Sequence, residues 1–141
     1  MKTRSKKHFE ILLHGKGFKA TPSRIALLEV LDKSPRPIGI FKIYEKMEQE
    51  TDQATIYRAI EALVGSGIVR RVDLQNAHCD YELVKDHHHH LICEKCGKIE
   101  KVVNCEPRAL EKRVLKGSLE FKEIKSHSLE FFGVCNACVK K

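Results

Sequence analysis

Residues 52–72, DQATIYRAIEALVGSGIVRRV, decide the fold of this chain. Apolar side chains recur there at helical spacing and predict one buried helix face, formed by Ile56, Ile60, Leu63 and Val64. Gly65 and Gly67 end the helix. Two extended runs follow, residues 68–74 and 79–84, separated by Gln75-Asn76-Ala77. Their composition and spacing predict a β-hairpin directly after the helix.

Three more helices are predicted before this stretch. Residues 5–14 carry apolar side chains at helical spacing, and Thr21 followed by Pro22 starts a second helix that ends before Ser34. A third runs from about Gly39 to Glu50. Helices that lead into a hairpin predict an N-terminal winged helix-turn-helix domain, to which we assign residues 1–84.

The pattern changes beyond Asp86. A strand with four histidines leads to a CxxC pair, and residues 98–103 form a second strand. A helix over residues 107–115 comes next, then one or two strands between Leu119 and Phe132, and a last cysteine pair. We therefore predict a small α/β domain over residues 85–141 and an α+β fold for the whole chain.

Charge and composition narrow the function classes. The 141 residues contain 26 Lys plus Arg against 19 Asp plus Glu, a formal net charge of +7. This sign suits a protein that approaches phosphate backbones. No apolar run reaches the ~20 residues of a membrane span, and no hydrophobic stretch follows the first basic residues. We expect a cytoplasmic protein without a membrane partner, whose cysteines are thiolates or metal ligands.

The helix of residues 52–65 is the candidate DNA-reading element. In helix-turn-helix proteins the second helix of the motif enters the major groove, with its N-terminal residues near base edges. That position predicts base contacts from Gln53, Thr55, Tyr57 and Arg58. Lys19, Arg70 and Arg71 are expected at phosphates or in a minor groove. The competing interpretation is that Tyr57 covers the small core and that Arg58 is a solvated helix charge.

Two CxxC pairs predict a structural zinc site. Cys93 with Cys96 and Cys135 with Cys138 supply four thiolates, the tetrahedral set that zinc prefers. A thioredoxin-like redox pair is the competing interpretation. Neither pair lies in a βαβ pattern, and there are two pairs, so we favour zinc that closes a long loop.

The run of residues 87–90, all histidine, predicts two further metal sites. Successive strand residues point to opposite faces, so His87 and His89 share one side while His88 and His90 share the other. An expression tag is an unsuitable explanation for a run inside the chain. On the second side Glu82, at the end of the hairpin, completes a set with His88 and His90.

Two strings of sequence resemble the ferric uptake regulator family. Residues 54–58, ATIYR, with 65–69, GSGIV, resemble its recognition helix and the entry to its wing, and residues 17–24, GFKATPSR, resemble its first helix junction. The resemblance implies a homodimeric, metal-dependent repressor that binds palindromic DNA, with residues 85–141 as the dimerisation domain. It implies DNA contacts from Tyr57 and Arg58, and it places Lys19 in the minor groove.

The resemblance also implies partners for His87 and His89. Those partners are His127 and Glu111, where the match to Glu111 needs a one-residue gap and Glu106 is a rival. Three imidazoles and a carboxylate suit a regulatory Zn²⁺ or Fe²⁺, with Mn²⁺ as a third choice. Cys105 has no predicted partner.

The chain departs from the family pattern twice. Iron-sensing members have a histidine before the third helix, where this chain has residues 35–38, PRPI, and an acidic residue where it has Lys101. Replacement ligands could be His78, Glu100 or Cys79, and sulfur from Cys79 would favour zinc. The alternative functions are a peroxide sensor, a zinc-dependent hydrolase and a metal-buffering protein. We expect no enzyme, because the four-cysteine set has no open position and no HxE element precedes a PCxxC.

Overall fold

The computed structural model describes residues 4–48, 51–75, 77–103 and 105–140. Its contacts divide the chain into two units, residues 1–85 and 86–141. The boundary thus falls one residue after the position that we inferred from the sequence.

Capping side chains fix where the helices of the first unit begin. Helix α1 (Lys6–Gly15) starts after Ser5, and α2 (Pro22–Lys33) starts after Thr21, whose Oγ1 accepts a hydrogen bond of 3.3 Å from the Arg24 N–H. Such caps satisfy N–H groups that have no partner inside the helix. Helix α3 covers Ile40–Lys46, and α4 covers Gln53–Gly65 after the cap Asp52.

Helix α3 is shorter than predicted. The sequence pattern extended it to Glu50, but the helix ends at Lys46, and Glu48 has a left-handed φ of 56°. A side chain in that conformation cannot continue a right-handed helix. Glu50 itself lies outside the described residues.

A three-stranded antiparallel sheet completes the first unit. Its strands β1 (Ile38–Gly39), β2 (Val69–Val72) and β3 (Asp80–Leu83) lie in the order β1-β3-β2. The β2–β3 pairing, from Val69 opposite Leu83 to Val72 opposite Asp80, is the predicted hairpin with shorter strands. Its turn was predicted at Gln75–Ala77, where Asn76 lies outside the described residues.

One apolar core holds the helices against the hairpin. The side chains of Phe9, Leu28, Ile43 and Ile60 are fully buried, one from each helix, and Leu83 contributes from β3. The inward face predicted for α4 is confirmed for Ile56, Ile60 and Leu63, which are buried, while Val64 is half-buried against the same cluster.

The second unit is built on a small mixed sheet. Its strands are β4 (His89–Cys93), β5 (Ile99–Val102) and β6 (Glu130–Gly133), with α5 (Pro107–Lys116) before β6 and α6 (Asn136–Val139) after it. Strand β4 lies in the middle, antiparallel to β5 and parallel to β6. Few apolar side chains are buried in the described part of this unit, chiefly Ile92, Cys93 and Cys138.

The strand predicted from Leu119 onward was mostly wrong. Of the segment between Leu119 and Phe132, only residues from Glu130 onward form a strand, because only there does the segment meet β4. Leu119 and Phe121 are exposed. Apolar alternation without a pairing strand in the same unit therefore does not produce regular structure. Among the described helices none has the length and apolar character needed to cross a membrane.

Candidate metal centres and nucleic-acid surface

The two CxxC pairs come together at the end of the second unit's sheet. Cys93 is the last residue of β4 and lies opposite Gly133 of the parallel strand β6, two residues before Cys135. Both pairs therefore follow the same ends of neighbouring strands. Positive φ at Gly97, 76°, lets the first pair turn back, since glycine adopts that conformation without a Cβ penalty.

The spacing of the four sulfurs fits a tetrahedral zinc ion. The ligand atoms of Cys93, Cys96, Cys135 and Cys138 all lie within 4.8 Å of one another. The Cys96 and Cys135 sulfurs are 3.7 Å apart. Zinc–sulfur bonds of about 2.3 Å at tetrahedral angles require about 3.8 Å between sulfurs. A zinc ion would therefore fit this set with little movement.

Hydrogen bonds within this group shift the pKa values of two of its thiols in opposite directions. The Cys135 N–H donates a hydrogen bond of 3.3 Å to the Cys93 sulfur and, with the N–H groups of Cys96 and Lys95, lowers the pKa of Cys93 to about 6. Hydrogen bonds to the Cys135 and Cys96 sulfurs, together with burial, raise the pKa of Cys138 to about 12. One sulfur is thus prepared as a thiolate while another keeps its proton, and a divalent cation would displace that proton.

A second cluster of donor atoms lies on the first histidine face. The ligand atoms of His87, His89, His127 and Cys105 lie within 4.8 Å of one another. The Nε2 atoms of His127 and His89 are 3.3 Å apart, and the Cys105 sulfur is 3.8 Å from His127 Nε2. The His87 ring stacks edge-on against both other rings, at 4.8 and 4.7 Å between centroids.

Glu111 lies beside this cluster and not among its four closest donor atoms. Its Oε1 is 3.3 Å from Nδ1 of His127. An ionised carboxylate only accepts hydrogen bonds, so in the neutral ring Nδ1 carries the hydrogen and Nε2 keeps its lone pair. That lone pair is available on the side where His89 and Cys105 lie. Metal-binding histidines commonly donate their second ring N–H to a carboxylate in this way.

Cys105 is the site residue that sequence reasoning missed. It lies between β5 and α5, nine positions after Cys96, in no motif. A clue was available, since a cysteine outside the two pairs in a chain with many histidines is a candidate metal ligand. Its distance from the histidines along the sequence concealed the contact. Glu106, the predicted rival of Glu111, is exposed just before α5.

The second histidine face is buried and has its own carboxylates. His88 and His90 are about as buried as core residues, and their ring centroids are 4.9 Å apart. Asp86 Oδ1 lies 3.2 Å from Nδ1 of His88, and Glu130 Oε1 lies 4.0 Å from Nδ1 of His90. The Asp86 carboxylate is close enough to orient the His88 ring as a metal ligand. Glu82, their predicted partner, belongs to β3 of the first unit, where it pairs with Arg70.

The structure shows the surroundings of Lys101 and of the three suggested replacement ligands. Lys101, which stands where the family pattern has an acid, lies 3.9 Å from Asp86, the carboxylate that also contacts His88. Glu100 lies opposite Leu91 in the sheet, on the other strand face from His90. In the first unit His78 lies 3.7 Å from Asp80, and Cys79 is exposed.

The first turns of α4 form the candidate nucleic-acid surface. Gln53, Tyr57 and Arg58 are exposed, with 51% of Tyr57 accessible. Thr55 donates a hydrogen bond of 2.7 Å to Asp52, so its hydroxyl is held at the start of the helix. Lys19 is exposed before α2.

The predicted phosphate-binding arginines of the hairpin form ion pairs. Arg70 pairs with Glu82, and Arg71 pairs with Glu61 of α4. Tyr81 also donates a hydrogen bond to Glu61, at 3.2 Å. The two contacts of Glu61 tie the hairpin to α4. Contact of Arg70 and Arg71 with DNA stays a prediction, and it would require them to share or leave these carboxylates.

Comparison with known proteins gives consistent matches over most of the chain. A family model described as "Ferric uptake regulator family" matches residues 15–132. The chain is 34% identical over 128 residues to the peroxide operon regulator of Bacillus subtilis, covering 89% of this chain and 87% of that protein. It is 31% identical over 134 residues to the ferric uptake regulation protein of Neisseria gonorrhoeae, covering 92% of each.

A solved structure supports the fold as well. The ferric uptake regulator of Vibrio cholerae, described with DNA-binding domains that rearrange, matches with a TM-score of 0.65 and 28% identity. The match covers 90% of this chain and 99% of that one.

Proposed function

The chain belongs to the ferric uptake regulator family, and on that premise we propose that it is a metal-responsive, homodimeric repressor of metal homeostasis genes. One observation carries the proposal. The second unit holds a four-sulfur set and, separately, a cluster of imidazole and sulfur donors. One set can be structural while the other responds to metal concentration.

The four sulfurs are our candidate for a permanent zinc site. Bound zinc would cross-link the end of β4 to α6 through four sulfur ligands. Cys93, Cys96, Cys135 and Cys138 leave no position open for a substrate or water, which disfavours a zinc hydrolase. Members of this family are transcription regulators, and a hydrolase or a metal buffer would have no use for the α4 surface.

The histidine cluster is our candidate for the regulatory site. His87, His89 and His127 would bind Zn²⁺ or Fe²⁺, with Mn²⁺ as a weaker alternative, and Glu111 was the carboxylate predicted to join them. Glu82, His88 and His90 are the candidate second set.

DNA binding is proposed for the exposed turns of α4. Gln53, Tyr57 and Arg58 would read base edges while Lys19, Arg70 and Arg71 meet phosphates or the minor groove. The high net charge supports this proposal, and so does the Vibrio cholerae relative, which has DNA-binding domains. Exposed apolar side chains on the second unit, such as Leu119, Phe121 and Phe131, support a homodimer that would span a palindromic operator in the cytoplasm.

The test is metal-dependent DNA binding. A palindromic operator is first selected from random DNA by the metal-loaded dimer, and the affinity of the metal-stripped dimer is then measured during anaerobic titration with Zn²⁺, Fe²⁺ or Mn²⁺. We expect tight binding only with metal, and a fall of roughly 0.9 log units in affinity per log unit of salt for each neutralised phosphate.

A matched pair of variants checks the surface. Tyr57→Ala with Arg58→Ala removes two predicted base contacts, so affinity should fall at least about tenfold. Arg113→Ala, an exposed arginine of α5, should leave affinity unchanged. An operator affinity that changes neither with metal nor in the α4 variant would contradict the proposal. Release of DNA by peroxide at constant metal would favour the peroxide-sensing alternative, which the Bacillus subtilis relative motivates.

A further inference from the structure

Cys105 places a sulfur donor in the histidine cluster, where we had expected the carboxylate of Glu111. Building on the proposed regulatory role of this cluster, we propose that Cys105 Sγ, and not the Glu111 carboxylate, is its fourth inner ligand. The site would then be a three-histidine, one-thiolate site that selects zinc over iron(II) and manganese(II).

The distances between donor atoms match such a site. Zinc–nitrogen bonds of about 2.05 Å and a zinc–sulfur bond of about 2.3 Å at tetrahedral angles require about 3.3 Å between nitrogens and about 3.6 Å from nitrogen to sulfur. The structure has 3.3 Å between the His127 and His89 Nε2 atoms and 3.8 Å from His127 Nε2 to the Cys105 sulfur. Two edges of the tetrahedron are thus formed to within about 0.2 Å.

Glu111 is engaged elsewhere on the same histidine. It contacts Nδ1 of His127, the ring nitrogen that faces away from the cluster. By accepting that N–H it fixes the tautomer that presents the Nε2 lone pair and makes the imidazole a stronger donor. Glu111 is therefore a positioning residue in this arrangement.

The position of Cys105 suits a ligand better than that of the other cysteine outside the CxxC pairs. Cys105 is half-buried with its sulfur against His127, whereas Cys79 is exposed in the first unit. The segment from β5 to α5 supplies both Cys105 and Glu111, so one piece of chain provides the inner sulfur and the supporting carboxylate.

The ligand type determines which metal is favoured. Thiolate is a soft donor that zinc tolerates well, while manganese(II) and iron(II) prefer carboxylate and imidazole. Replacing a carboxylate by a thiolate in a three-histidine site therefore widens the affinity gap in favour of zinc. Such a preference would not require ligands at the two positions where the chain departs from the family pattern.

Cobalt(II) titration tests the ligand directly. The full-length dimer is prepared with zinc in the four-sulfur site, confirmed by metal analysis, and one further equivalent of Co²⁺ is added anaerobically. Wild type should develop a near-ultraviolet sulfur-to-cobalt charge-transfer band, and Cys79→Ser, which removes the rival sulfur, should develop it as well. Cys105→Ser should lose this band. Glu111→Gln should keep it, with metal affinity lowered about 10–100-fold, because only ring positioning is lost.

A hard-donor variant keeps the test decisive. Cys105→Asp restores a fourth ligand as a carboxylate, so its ratio of zinc to manganese affinity should fall below that of wild type in competition titrations. A charge-transfer band that persists in Cys105→Ser, or a metal preference unchanged in Cys105→Asp, would overturn the proposal. Retention of the four-sulfur zinc and of the far-ultraviolet circular dichroism identifies variants that have folded.

These measurements contain no DNA, so they separate the two proposals. If the band depends on Cys105 but metal has no effect on DNA binding, the repressor proposal fails and the ligand assignment stands. If DNA binding follows metal and Cys105→Ser binds cobalt like wild type, the ligand assignment fails alone.

Discussion

Asp32 shows how a single buried charge is compensated. It lies near the end of α2 with its side chain almost fully covered, and Lys85 Nζ lies 2.9 Å from its Oδ1. The Arg4 N–H donates to its Oδ2 at 2.9 Å. Burial acts to raise the pKa of Asp32, but the hydrogen bonds from Lys85 and Arg4 outweigh it and hold the pKa below the ordinary 3.8. The charged form is therefore favoured in the folded protein.

Neutralising this carboxylate should cost stability in a pH-dependent way. We expect Asp32→Asn to lower the free energy of unfolding near neutral pH by about 1.5–3 kcal/mol, the contribution of hydrogen bonds to a charged group. A carboxylate whose pKa is lower in the folded state than in the unfolded state stabilises the fold at pH values above the unfolded-state pKa. This contribution is lost as the pH falls through the folded-state pKa. The difference between wild type and variant should thus shrink below about pH 4.

Urea unfolding of both proteins in parallel, at several pH values, measures this difference. The contributions of the other titrating groups cancel because both proteins share them. Glu45→Gln, which neutralises an exposed carboxylate on α3, is the control and should change stability little. A difference that grows toward acid would contradict the assignment.

At the scale of single residues, the spacing of the sequence predicted candidate ligands where they belong to local patterns, and the family resemblance added His127 and Glu111. The four CxxC cysteines and the alternation of the histidine run were readable because their spacing alone specifies geometry. Cys105 was not, since its contact with His127 spans 22 positions and depends on where α5 places the chain. For Glu111 the sequence indicated proximity to His127 but could not tell which ring nitrogen it contacts.

Between elements, one carboxylate of α4 connects the helix to the hairpin. Glu61 accepts hydrogen bonds from Arg71 of β2 and from the Tyr81 hydroxyl of β3. Burial, followed by the contact with Glu61, raises the pKa of Tyr81 to about 12, so the hydroxyl keeps its proton as a donor. The position of the hairpin relative to α4 therefore depends on this carboxylate.

Removing the Tyr81 hydroxyl should weaken that connection. Tyr81→Phe keeps the buried ring but loses one hydrogen bond, and we expect the free energy of unfolding to fall by about 0.5–1.5 kcal/mol in urea denaturation. Tyr57→Phe is the matched control, because its ring is half exposed and the described residues show no hydrogen bond from its hydroxyl; its stability should be close to that of wild type. Equal losses in the two variants would argue against the α4–hairpin connection.

The elements that sequence analysis recovered are those with strong periodicity. Helices α1, α2, α4 and α5 were predicted nearly at their observed bounds, because capping residues and apolar spacing act locally. Strand β1 has only two residues and exists because Ile38 pairs with Tyr81, a contact that no local pattern reveals. Helix α6, one turn within the second CxxC pair, is likewise too short for periodicity to detect.

Across the whole molecule, apolar burial is distributed unequally. The described core cluster, from Phe9 to Leu83, lies entirely in the first unit, whereas the second unit buries few apolar side chains. Small domains with little core commonly depend on metal or disulfide links. The four-sulfur site is therefore the main candidate for what holds the second unit together.

Loss of that metal should unfold one unit and spare the other. After chelation of zinc, or in Cys138→Ser, we expect amide hydrogens of β4, β5 and β6 to exchange rapidly, while those of α2 and α4 stay protected. Hydrogen exchange followed by mass spectrometry resolves the two regions. Cys79→Ser is the control and should show wild-type protection throughout. Parallel loss of protection in both regions would show that the first unit does not fold independently.

The meeting of the two CxxC pairs, which lie far apart in the sequence, has a consequence for synthesis on the ribosome. The Cys135 N–H and the Cys93 sulfur that it contacts are 42 positions apart, so the two halves of the four-sulfur set emerge at different times. At translation rates of about 5–20 residues per second, Cys93 and Cys96 wait roughly 2–8 s for their partners. During that interval the nascent chain exposes two unprotected sulfurs behind an already emerged first unit. Zinc supply and thiol oxidation therefore compete for each newly made molecule before it has ever bound DNA.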